Sequence, residues 1–272
     1  MTNKIKRISI FSFLLILISC KESKIDKQSK ENESWKKVGQ FEKTIKNINF
    51  TFPDSGFAFE NKSNLIEESF EAMKADSELI KLNEFNDTIF IRFLNSREDM
   101  FPLTGTTGSG SAWPHINTLY AVSNESAKPP IKHELMHLIA MLEWDYPPSS
   151  STWMNEGLGT FAENNCINWK VAEIYRYLLE TNRLIQMDSL TSDFYNQPEM
   201  ISYHQSAYIV EYLLGKYSIE KFEKLWKRGF GKFEEIYGLP FDKVKFDLEK
   251  ELKNKYPLAP KIDFDRFIKG CE

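Results

Sequence analysis

Ile131-Lys132-His133-Glu134-Leu135-Met136-His137 sets two histidines four positions apart, with a glutamate beside the first. The chain holds only 4 histidines in 272 residues, so such a pairing is seldom accidental. Helical residues four apart project from one face, one turn apart. His133 and His137 can therefore turn two imidazoles toward one cation. Glu134 lies about 100° round the helix from His133, beside the cation but not obliged to bind it. A carboxylate so placed can take a proton from an activated water. The flanks read as helix. Pro129 and Pro130 fit a helix start, and Ile131, Leu135, Leu138, Ile139 and Leu142 recur at helical spacing. Pro147 and Pro148 then close the segment. A zinc helix is expected over residues 129–144.

Catalytic zinc usually takes three protein ligands and leaves a fourth position for water. The expected third ligand is Glu156, in the triplet Asn155-Glu156-Gly157, which begins eighteen residues after His137. It falls in the stretch from Trp153 to Glu163, which reads as a second helix after a turn at 149–152. Asn155 and Thr160, the latter one turn beyond Glu156, are positioned to brace ligands from behind. One Zn2+ per chain is expected.

These elements resemble the gluzincin metallopeptidases, zinc enzymes with an H-E-x-x-H helix and a glutamate ligand on a following helix. The spacing and the N-E-G triplet resemble the aminopeptidase branch and its smaller bacterial relatives with a peptidase-like domain. The run from Tyr203 to Gly215 is similar to a family helix that opens with a transition-state tyrosine, and Phe233 to Gly238 resembles the helical end of the small relatives. The likeness covers roughly Ile48 to Tyr256. It implies an α+β zincin with a thermolysin-like catalytic domain. A small mixed sheet lobe (about 35–128) and a mostly helical lobe (about 150–272) would enclose a zinc cleft. It implies zinc held by His133, His137 and Glu156, Glu134 as base, and Tyr203 as donor to the oxyanion. His204 is the competing donor. One departure concerns specificity. Aminopeptidases of this kind carry a G-x-M-E-N segment upstream, whose glutamate holds the substrate's free amine. Here the corresponding stretch, Gly105 to Trp113, contains no acid, so an endopeptidase or a narrow substrate choice is expected.

Lys4, Lys6 and Arg7 precede an apolar run from Ile8 to Ile18, too short to span a bilayer comfortably. Leu17-Ile18-Ser19-Cys20 resembles the bacterial lipobox. This implies a signal peptide over 1–19, a lipid anchor on Cys20, and a cell-envelope location, periplasmic or surface-exposed. Residues 20–34 are polar and charged and read as a tether, with a folded domain over 35–272. The formal net charge is −4 and more negative without the basic leader, which argues against nucleic-acid binding. Cys166 and Cys271 can form a disulfide or stay as separate thiols; spacing does not decide between them.

Strands are expected at Ile48–Phe52, Thr88–Leu94 and Asn117–Val122; the family resemblance implies that the last is the sheet edge that aligns an extended substrate. Helices are expected at Asn64–Leu82, Met154–Asn164, Trp169–Glu180, Tyr203–Lys216, Ile219–Arg228 and Phe241–Tyr256, with a less regular stretch from Asp188 to Ser202 and a small-residue loop at Gly105–Gly110. Trp113 and Trp153 either shape a pocket or pack in the core, as buried aromatics commonly do. Tyr208 is expected to pack, His115 to sit in a loop, and Glu163 to lie at the surface or behind the ligands. Lys243–Lys255 reads as a solvated helix face. Three functions stand: an envelope zinc peptidase acting on a peptide or protein; a non-catalytic envelope binding lipoprotein that keeps the peptidase fold; and a zinc hydrolase of another amide or ester, such as a cell-wall peptide.

Overall fold

The computed structural model describes residues 40–126 and 128–271. The expected signal peptide, Cys20, the tether over 20–34 and the start of the domain at Trp35 lie outside the described residues.

Alternation in β2 (Ile48–Pro53) buries Ile48, Phe50 and Phe52 on one face, as period-two patterning requires. It pairs antiparallel with β1 (Gln40–Ile45) through a tight turn whose Lys46 has φ 53°, the left-handed geometry such hairpins favour. Helix α1 (Lys62–Leu79) then carries the chain to β3 (Ile89–Leu94), which runs parallel to β2. Parallel neighbours need a crossover of this kind. Helix α2 (Arg97–Thr104) follows, with the Ser96 hydroxyl accepting from the Asp99 amide at 3.1 Å and Gly105 ending it at φ 76°. Next come β4 (Gly110–Trp113) and β5 (Thr118–Val122), an antiparallel pair. The sheet order is β1-β2-β3-β5-β4.

That order corrects one expectation. β5 is not the edge: it lies between β3 and β4, with all five residues buried. The edge on that side is β4, which begins at Gly110, the last residue of the stretch read as a small-residue loop. That stretch follows α2, which the sequence reading also passed over.

The second half is helical. The helix that carries His133 and His137 is α3 (Ile131–Trp144), followed by α4 (Thr152–Glu163), α5 (Val171–Glu180), α6 (Met187–Ser192), α7 (Glu199–Lys216), α8 (Ile219–Arg228) and α9 (Phe241–Lys255). The stretch from Asp188 to Ser202 is more ordered than expected, holding most of α6, a 3-10 turn at Phe194–Asn196 and the first turn of α7. Tyr203 therefore sits one turn inside its helix rather than opening it. The fold is α+β, a small open five-stranded sheet with a mostly helical remainder, consistent with a zincin-like domain.

Packing explains why α3 is firmly held. Ile131, Leu135, Met136, Leu138 and Ile139 are all buried. At its C-terminal end the Trp226 indole of α8 donates to the Asp145 carbonyl at 2.8 Å, and Trp144 meets the Trp226 ring edge-on. On its other side α4 packs against α7. A Cβ at Gly157 would lie 2.8 Å from the Ser206 backbone, so only glycine lets these two helices meet there. Trp153 is fully buried, a core residue and not a pocket wall. Cys166 and Cys271 are disulfide-bonded, with Cα atoms 4.5 Å apart. The bond ties the C-terminal segment to the loop after α4. Phe267 of that segment is buried beside Ile174, Leu178 and Ile201.

Candidate metal centre

The His133 and His137 rings face each other edge-to-face, with centroids 4.6 Å apart. Glu156, delivered by α4, brings its Oε2 to 3.5 Å from His133 Nε2 and 3.4 Å from His137 Nε2. One donor atom from each of the three residues falls within 4.8 Å of the others. A tetrahedral ion with bonds of about 2.0–2.2 Å separates its donors by about 3.3–3.6 Å, so both His–Glu distances suit such an ion. The tautomer agrees. The Asn155 side-chain oxygen accepts from His137 Nδ1 at 2.9 Å, which leaves the Nε2 lone pair turned toward Glu156. The residues fit a zinc ion.

The electrostatics also call for a cation. Burial alone would push the His133 pKa down, but the hydrogen bond to Glu156 and the nearby charges of Glu134, Glu156 and Glu163 carry it up to about 9. Burial would push Glu156 up, yet His137 and His133 outweigh it and hold the carboxyl well below the usual range. A proton here takes the place a metal would take, so protons and metal compete for the site.

Glu134 stands beside the three ligands. Burial raises its pKa, partly opposed by His133 and His137. Its neighbour across the cleft is the edge strand: a Cβ at Gly110 would lie 2.5 Å from Glu134 Cγ and 2.6 Å from Pro130 Cγ. Glycine therefore lets the strand backbone lie directly against the carboxylate. The Tyr203 ring stacks at 6.2 Å and 18° over His133. Burial and the charge of Glu156 push its phenol pKa strongly up, so it remains a proton donor. His204 differs. Its Nδ1 donates to the Met200 carbonyl at 2.8 Å, and its Nε2 faces Cys271 Sγ at 3.7 Å. Burial lowers its pKa to about 4. A neutral ring whose one proton is already engaged has none for an oxyanion, which favours Tyr203.

Thr160 is buried near the ligands, but among the described residues its hydroxyl has no hydrogen-bond partner; of the two expected braces, only Asn155 bonds a ligand. Glu163 is exposed and lines the cleft. His115 is exposed in the turn between β4 and β5, away from the three ligands. Trp113 packs with Leu94, Met100 and Tyr120, its indole donating to Ser111 at 2.9 Å. Tyr208 is buried against Tyr175.

Two polar residues near the site escaped the sequence reading. Tyr195, on the 3-10 turn, donates to Glu156 Oε1 at 2.8 Å. Asp76 of α1 is buried with neither oxygen hydrogen-bonded among the described residues. Burial carries its pKa up to about 8, against the opposing charge of Lys132. Neither has a periodic or motif signal; only the fold brings them near the histidines.

The site opens into a cleft of about 700 Å³, walled on one side by Ser109–Ala112 of the edge strand and its approach and on the other by Tyr195, Glu199 and Tyr203. A family model described as Peptidase MA superfamily matches residues 104–235, just under half of the chain, from the approach to the edge strand to beyond α8. The match supports a gluzincin-type peptidase fold. Among solved structures, the chain is similar to the aminopeptidase N family protein from Idiomarina loihiensis, at 12% identity and a TM-score of 0.39. The alignment covers 85% of this chain and 46% of that one, so this chain spans less than half of that protein's length. No curated protein matches.

Proposed function

We propose that this chain is a zinc-dependent peptidase, an endopeptidase or an enzyme of narrow specificity rather than a general aminopeptidase. It would be held at a bacterial cell envelope by a lipid on Cys20. The observation that carries the catalytic reading is the approach of Glu156 Oε2 to both histidine Nε2 atoms at 3.4 and 3.5 Å, with Asn155 fixing the His137 tautomer. The envelope reading rests on the run from Leu17 to Cys20.

Zinc held by His133, His137 and Glu156 would supply Lewis acidity and bring the pKa of a coordinated water toward neutrality. The chain's own residues do the rest. The free edge of β4 offers backbone donors and acceptors to an extended peptide, the strand addition that polypeptide-binding clefts use. Glu134, directly under that edge, takes a proton from the attacking water and returns it to the leaving nitrogen. Tyr203 donates its phenol proton toward the carbonyl oxygen as negative charge develops. No residue on the upstream strand supplies an acid for a free amine, which favours substrates bound along their length. Glu163 and Glu199 line the cleft without lysine or arginine among the described lining residues, and this favours neutral or basic peptide segments.

The test is Glu134→Gln in the full-length chain purified in detergent, assayed on a diverse peptide library. Gln keeps the packing against Gly110 and Pro130. Hydrolysis is expected to fall about 10²–10⁴-fold with zinc content unchanged. Zinc-loaded wild type that cleaves nothing in the library would leave the non-catalytic binding protein as the better reading. Cleavage confined to other amides or esters would favour the broader hydrolase.

A further inference from the structure

We propose that Tyr195 is a positioning residue that holds Glu156 to one-oxygen coordination of the metal; the inference rests on the zinc reading above. The two carboxylate oxygens of Glu156 are already divided. Oε2 faces both imidazoles, whereas Oε1 accepts the Tyr195 hydroxyl at 2.8 Å. A carboxylate oxygen that accepts a phenol's hydrogen bond is held toward the phenol and has one lone-pair site fewer, so the opposite oxygen is the preferred donor to a cation. That keeps the protein's share of the coordination shell at three atoms and leaves room for water and for a substrate carbonyl.

The turn bearing Tyr195 is built to hold it there. Phe194 is buried and packs edge-on against the Tyr195 ring at 5.5 Å and beside Tyr203 at 5.3 Å. Asn196 donates to the Asp193 carboxylate at 2.7 Å, and the Gln197 side chain to the Asp193 carbonyl at 3.1 Å. The Tyr195 residue is 70% exposed although its hydroxyl reaches the ligand, so the ring forms part of the cleft wall and carries little of the core.

The experiment compares wild type, Tyr195→Phe and Tyr203→Phe, each full-length and metal-free at the start. Zinc affinity is read by competition with a chelator, and the visible absorption of the cobalt(II) form is recorded. In Tyr195→Phe the affinity should fall about 10–100-fold, the usual effect of losing a ligand's hydrogen-bond partner. Its cobalt absorption should weaken, because freed Oε1 adds to the shell and higher coordination numbers absorb less. Tyr203→Phe should keep wild-type affinity and spectrum, since Tyr203 makes no hydrogen bond to Glu156. Unchanged affinity or an unchanged spectrum in Tyr195→Phe, with wild type binding tightly, overturns the role of Tyr195 alone. An equal loss in Tyr203→Phe does the same. Wild type that binds no metal overturns the zinc reading together with it.

Discussion

Replacing Cys271 by serine isolates the contribution of the cross-link better than replacing Cys166. Cys166 is buried in a small apolar cluster with Ile174, Leu178, Ile201 and Phe267, so its loss would also disturb packing, whereas Cys271 is exposed. The bond spans a sequence separation of 105 residues. In the chain-entropy model a loop of about 100 residues restricts the unfolded ensemble by about 4.7 kcal/mol, and measured losses for native disulfides run about 2–5 kcal/mol. The folded state should change little. Phe267 remains an anchor for the segment, and the Asp263 carboxylate still accepts from the Arg266 amide at 3.2 Å. The expected result in urea melts followed by tryptophan fluorescence is a lower midpoint with an unchanged folded-state signal. Thermal midpoints should fall by roughly 5–20 °C, at about 2–4 °C per kcal/mol for a domain of this size. Reductant should lower wild type to the variant's value and leave Cys271→Ser unmoved. Equal midpoints for wild type and variant under oxidising conditions would refute the reasoning.

Gly110→Ala would press a methyl group into Glu134 Cγ and Pro130 Cγ; activity should drop about 10–100-fold through displacement of the carboxylate, with zinc retained, and full activity would count against the close strand–base contact. Asp76 bears on pH dependence. The folded state keeps its proton up to about pH 8, while an unfolded aspartate loses it near pH 4. Its contribution to stability is therefore complete at low pH and lost as pH rises toward 8. Asp76→Asn should match wild type near pH 4 and exceed it at pH 8 in the unfolding free energy from denaturant melts, by roughly several kcal/mol at most; a gap that does not widen with pH would argue against a buried, protonated Asp76.

Helix α3 was legible because its two histidines lie four apart on one apolar-flanked turn pattern, and α8 and most other helices followed from the same period. The sheet was less so. β4 is Gly-Ser-Ala-Trp, four residues without alternation, and only its pairing with β5 makes it a strand. The β5 run Thr-Leu-Tyr-Ala-Val did carry a hint of its interior place: near-continuous apolar sequence marks a strand covered on both faces, not an exposed edge. Glu156 was reachable from its triplet, and Asn155 beside it. Thr160 lies one turn beyond Glu156, but spacing along a helix does not fix where a short hydroxyl ends up pointing. Tyr195 stayed hidden because its role depends on a 3-10 turn bringing its hydroxyl to Glu156, 39 residues back in the chain, and the disulfide because 105 residues separate its halves.

The most direct measurement is the zinc content and zinc X-ray absorption spectrum of the full-length chain, beside those of Glu156→Gln. One zinc per chain with a shell of two imidazole nitrogens and carboxylate oxygen, lost or weakened in the variant, is the expected result. Absence of stoichiometric zinc contradicts the site. So does sulfur in the shell, which would mean an open Cys166–Cys271 bond and an ion at Cys166, His204 and Cys271, the other close donor group among the described residues.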